Sequence, residues 1–284
     1  MSSLAGHVSA FLILFPVGIR RLWLSLSFQA RSSPSFRPRP WYFSPEHPLR
    51  GADLYALLLL LPIAAFCDYF IFLSLPASSY AGAASFRFSF ALHAASLSVF
   101  VLLLVVILLS HRFPLLIPDD LLFLLAALAF LSDLPSSPRP AIAAIDAHAN
   151  ELAAVPTLTC AASCFVLSLR CSAAAAAADV ALATGMALKG SWALQAGISL
   201  YVLPPRGCSR NAVGGGEGWL ECVLEDDGRR GLAMLDLLFA SHAVAVAVIC
   251  LGMQYWIAVK SAGRTDLEAM MARLVVSPSE LELD

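Results

Sequence analysis

Long apolar runs separated by short polar breaks set the plan of this chain. Leu4 to about Ile19, Asp53 to Leu75, Phe86 to Leu109, Leu121 to Leu134, Ala147 to Leu169, Val180 to Leu203 and Gly231 to Val259 each read as a helix in the membrane. About 20 apolar residues at 1.5 Å each match a hydrocarbon layer of ~30 Å. The first run is followed, not preceded, by its basic residues Arg20 and Arg21. That order fits a membrane helix better than a signal peptide. The fourth run is short, because Asp133 and Pro135 stop it. The pattern predicts an all-α polytopic bundle of about seven transmembrane helices over residues 1–259.

The polar breaks are uneven. Residues 27–50 form a Pro- and Arg-rich connector, too proline-dense for a regular helix interior. Its Trp41, Tyr42 and Phe43 suit the headgroup layer. Residues 204–231 form a Gly-rich loop, and residues 260–284 a charged tail. Lys and Arg gather in the connector, after the third and fifth runs and in the tail. This bias places the N-terminus outside and the C-terminus inside, with the tail cytosolic.

Composition agrees with the pattern. The chain is 59% hydrophobic and 13% charged, against ~45–50% and ~25% in soluble domains. Mean hydropathy is +0.78. The net charge of −2 and the lack of a basic cluster with interleaved aromatics exclude nucleic acid as a partner. The expected partners are the lipid bilayer and other membrane proteins. An integral multi-pass location follows, with endomembrane and plasma membrane left open.

Within the sixth run, Lys189, Trp192 and Gln195 recur at helical spacing beside a stripe of Gly190, Ala193 and Gly197. The small residues suit close helix contact. Lys189 falls near mid-membrane, where a charge costs about 3 kcal/mol and needs a partner or water. Asp68 is the nearest intramembrane carboxylate in depth.

Other polar groups collect in the outer half of the same topology. His7 and His148 open their helices, His93 lies about 10 Å in and His242 about 15 Å in. Asp68 and Asp133 share that half. Asp68, His93, Lys189, Trp192, Gln195 and His242 form a candidate intramembrane polar cluster. His7, His93, His148 and His242 are candidate ligands for zinc or haem. No two of these lie on one helix at ligand spacing, so interhelical hydrogen bonding is the preferred reading, with no cofactor.

These motifs together resemble the transmembrane protein 45 family, in its plant-type branch, domain of unknown function 716. The resemblance rests on Gly6-His7, on His93 to Ser98, on Ile145-Asp146-Ala147-His148, on Leu188 to Gly197 and on Ser241-His242. It implies a multi-pass membrane protein and no catalytic mechanism. The family usually carries Gln at the position of Lys189 and His at that of Asn150. Its His-x-His element after the fourth helix is replaced by the turn from Pro135 to Pro140.

Four cysteines, Cys67, Cys160, Cys164 and Cys250, lie in apolar runs and read as small buried residues, with Cys171 a thiol at a helix end. Cys208 and Cys222 fall in the loop 204–231, where plant-type relatives look similar. A disulfide between them is expected if that side faces an oxidising lumen. Neither a phosphate-binding Gly loop nor a nucleophile elbow is present. The leading expectation is a non-enzymatic membrane protein with an interaction or regulatory role. The alternatives are a proton or metal-ion transporter, or a metal- or haem-dependent enzyme or electron carrier.

Overall fold

The computed structural model describes residues 4–32, 36–43, 51–74, 83–113, 117–134, 144–169, 172–213 and 216–276. The turn from Pro135 to Pro140, Cys171, the end of the tail and parts of the connector lie outside these residues. Among the described residues seven helices run in order: α1 (Leu4–Ser32), α2 (Ala52–Ser74), α3 (Ala83–Arg112), α4 (Asp119–Ser132), α5 (Ala144–Ser168), α6 (Ser172–Gly197) and α7 (Glu225–Val276). Two strands, β1 (Cys208–Val213) and β2 (Gly216–Cys222), form an antiparallel hairpin between α6 and α7. The loop expected at residues 204–231 therefore holds ordered pairing. The disulfide Cys208–Cys222 joins the ends of its two strands.

Among the described residues five helices, α1, α2, α3, α5 and α7, are long and apolar enough to cross a membrane. The chain is a polytopic helix bundle. The two others differ for separate reasons. α4 has 14 residues, about 21 Å, less than the ~30 Å hydrocarbon layer. α6 has 26 residues but carries Asp179 and Lys189 and begins in an alanine tract. It is the central helix, packed on α1, α5 and α7. A helix surrounded by others has no single apolar face to show. The seventh helix outruns its expected end at Val259 and continues into the tail segment as far as Val276.

Close backbone approach sets the α1–α6 contact. A Cβ on Gly18 would come within 2.5 Å of Ala187 N, and one on Gly190 within 2.5 Å of Phe15 N. Only a missing side chain allows helices this near, which is how membrane helices gain packing without a hydrophobic drive. α6 ends in a π-helical turn, Ile198–Val202.

Neighbouring contacts trace an arc. α2 packs on α3, α3 on α4, α4 on α5, α5 on α6 and α6 on α1, with α7 along the outside of α1, α5 and α6. The two ends of the arc, α1 and α2, face each other. They meet through the ion pair Arg20–Asp53 at 2.7 Å and through Ile13 and Val17 on the α2–α3 core. The space left between the ends of the arc is a cavity.

Candidate intramembrane cavity and its charge pairs

The cavity has a volume of about 510 Å³ and is walled by α1, α2, α3, α4, α6 and the connector. Leucines, isoleucines and phenylalanines line its middle, including Leu57, Leu61, Ile63, Leu97, Phe100 and Leu104. Charge is confined to two levels. Asp68, His93, Asp133 and Lys189 lie at one, and Arg20 and Arg21 at the other. Lys189 and Asp179, the partner of Arg21, are ten residues apart on α6, so the levels are separated by about 15 Å.

At the first level, Lys189 Nζ forms an ion pair with Asp133, the residue at the C-terminal cap of α4. It also donates to Thr157 Oγ1 at 2.8 Å. Ser96 Oγ donates to the other oxygen of Asp133 at 3.4 Å. Groups from α3, α5 and α6 and from the end of α4 thus meet at one ion pair. The expected nearest partner, Asp68, is instead bound to His93 Nδ1 at 2.6 Å. The early stop of α4 explains the exchange. A full-length span would carry Asp133 to the membrane boundary, whereas a 14-residue helix leaves it at the depth of Lys189.

The second level was missed by sequence reading. Arg21 is bonded to Asp179, which has no exposed surface. Tyr42 Oη donates to the second oxygen of Asp179 at 2.6 Å, and Arg21 also donates to the carbonyls of Pro40 and Arg39 at 2.8 and 3.1 Å. Burial, followed by the neighbouring Asp179 charge, pushes the Tyr42 phenol well above its ordinary value. The connector therefore does not simply rest in the headgroup layer. Tyr42 is only 2% exposed, and Phe43 stacks on His111 with ring centroids 4.1 Å apart. The local signal was there in Arg21 and Asp179, but nothing in a single sequence pairs residues 158 positions apart.

The remaining candidates do not join this cavity. Trp192 is fully buried on the α5–α7 side, where Nε1 donates to Ala149 O at 3.0 Å and the ring meets Phe239 edge-on. His242 lies beyond it, 6.4 Å from the indole centroid. Gln195 Nε2 donates to Ser199 Oγ at 3.0 Å on its own chain segment. Of the six candidate residues, Asp68, His93 and Lys189 line the cavity, together with Asp133, and Trp192, Gln195 and His242 do not. The cause is angular drift. Each three-residue step on a helix of 100° per residue turns the side chain by about 60°, so Gln195 is ~120° from Lys189.

The four histidines also go separate ways. His7 Nδ1 contacts Ala193 O at 3.1 Å, and its Nε2 is buried without a partner among the described residues. His148 Nε2 lies 2.7 Å from Asp236, and His93 and His242 are as above. No group of three or more His, Cys, Asp or Glu fit to hold a metal ion occurs among the described residues. At the hairpin, Asp146 accepts from Arg210 Nη2 at 3.2 Å and from Leu220 N at 2.8 Å. That pair ties β1 and β2 to the start of α5.

Residues 119–255 match a family of unknown function, DUF716. Over that stretch, somewhat less than half of the chain, the sequence resembles DUF716. The matched segment runs from α4 to within α7, so it holds Asp133, Thr157, Lys189 and Trp192. Asp68, His93, Arg21 and Tyr42 lie on the N-terminal side of it. No curated protein matches the chain. The match to DUF716, a family of unknown function, assigns no activity.

Proposed function

We propose that this chain is a non-enzymatic integral membrane protein with an interaction or regulatory role. The supporting observation is the one-to-one pairing of its intramembrane charges. Lys189 pairs with Asp133, Arg21 with Asp179 and His93 with Asp68. Each pair links two different helices. Groups so committed act as clamps that hold helices in register, since breaking a buried pair strands a charge. A catalytic set would instead present a nucleophile or base to a reacting atom.

A second reading is proton or ion movement. It is favoured by one observation, that the Asp68–His93 pair is one-fifth exposed on the cavity side of the arc. Reconstitution of the purified full chain into liposomes separates the two. The interaction reading expects no proton or metal-ion flux above empty vesicles. Flux that is abolished by Asp68→Asn or Lys189→Met overturns it in favour of transport. Stoichiometric metal or a haem absorption band in the purified protein overturns both in favour of a cofactor-dependent role.

A further inference from the structure

We infer that the cavity between α1 and α2 is a binding site for a neutral lipid alcohol, with its hydroxyl on the Asp68–His93 pair. The dimensions come first. A volume of about 510 Å³ falls in the range of sites for one small molecule, ~300–1,000 Å³. The separation of the two charged levels, about 15 Å, is half of a ~30 Å hydrocarbon layer. The site therefore takes a molecule one leaflet deep, not a bilayer-spanning chain. The cavity lies between α1 and α2, the two ends of the helical arc.

Charge then selects the head group. Lys189 is held by Asp133, Arg20 by Asp53 and Arg21 by Asp179. No cation lining the cavity is left over for a carboxylate or phosphate among the described residues. Bringing a charged head group to this depth without a counter-ion is strongly unfavourable. The groups with unused valence are those of the Asp68–His93 pair. His93 Nδ1 is engaged with Asp68 Oδ2, so Nε2 and the second carboxylate oxygen have no protein partner among the described residues. Those two atoms suit a hydroxyl, which donates to either and remains uncharged. The apolar wall formed by Leu61, Ile63, Leu97 and Phe100 receives the hydrocarbon body. Sterols and long-chain alcohols share this chemistry.

The test uses the purified full chain in detergent with two photoreactive probes, a sterol and a straight-chain alcohol, and maps labelled peptides by mass spectrometry. The expected result is saturable labelling of α1, α2 or α3 by at least one probe. An unlabelled alcohol displaces it, and a fatty acid of equal length does not. Preference for one probe names the source. Ala64→Trp, which fills the cavity wall, lowers labelling at least tenfold with unchanged helical circular dichroism. His93→Leu weakens it about three- to tenfold, as expected for one lost hydrogen bond. Non-saturable labelling, equal competition by the fatty acid, or full labelling of a folded Ala64→Trp protein overturns the inference. Should Ala64→Trp fail to fold, the competition on the unaltered chain decides.

Discussion

Lys189 meets Asp133 in the middle of the bundle because α4 ends where a spanning helix would continue. The pair joins the central helix to the shortest one, with Thr157 of α5 as a third contact. Removing either partner strands the other. Lys189→Met and Asp133→Leu should each destabilise the detergent-solubilised protein by about 3 kcal/mol, and the double variant by markedly less than the sum. Thermal unfolding of the four proteins checks this. Additive losses would show that the two residues do not act as a pair.

The Arg21–Asp179–Tyr42 group should behave in the same way at the other level. Tyr42→Phe removes one hydrogen bond to a buried carboxylate and should lower stability by about 1.5–3 kcal/mol. Its pH dependence has a fixed sign. The phenol is raised in the folded state, so its contribution is fully present below the ordinary value of 10.0. It is lost as pH climbs from there through the higher folded value. Spectrophotometric titration should find one tyrosine that resists ionisation until unfolding, and Tyr42→Phe should remove it.

The hairpin disulfide closes a loop with a sequence separation of 14. In the chain-entropy account such a closure is worth about 3 kcal/mol. Cys208→Ser should lower stability by up to that amount, and thiol reagents should reach Cys222 only after reduction. Equal labelling with and without reductant would remove the crosslink from the native protein.

Helix spacing gives a contrast within one residue type. Gly190→Leu and Gly18→Val must push α1 from α6 and should cost about 1–3 kcal/mol or more. Gly252→Ala meets nothing within 4 Å and should be neutral or slightly stabilising. Comparison of the unfolding midpoints of these variants tests whether the α1–α6 seam is as tight as its backbone distances imply.

The number and order of the helices were legible in the chain because apolar run length reports directly on membrane depth. The all-α bundle follows from that alone. Asp68, His93 and Lys189 stood out for the same reason, as charge in hydrocarbon. The pairing of Lys189 with Asp133 and the Arg21–Asp179–Tyr42 group did not. Asp133 was displaced by a helix one turn or more too short, and Asp179 directly precedes the sixth apolar run, behind a row of alanines. Tyr42 looked like an interfacial aromatic until the connector was seen folded over the end of α1. Trp192 and Gln195 were grouped with Lys189 by spacing, and steps of about 60° carried them to other faces, while His242 was grouped by depth alone.

The α1–α6 seam also has a history in time. His7 bonds a carbonyl 186 positions later, and Arg21 its carboxylate 158 positions later. At ~5–20 residues per second of synthesis, α1 waits on the order of 10–30 s for the helix it was shaped to meet. During that interval Arg21 has no Asp179 and must keep its guanidinium at the membrane surface. The contacts of α1 are therefore completed only when α6 has been made.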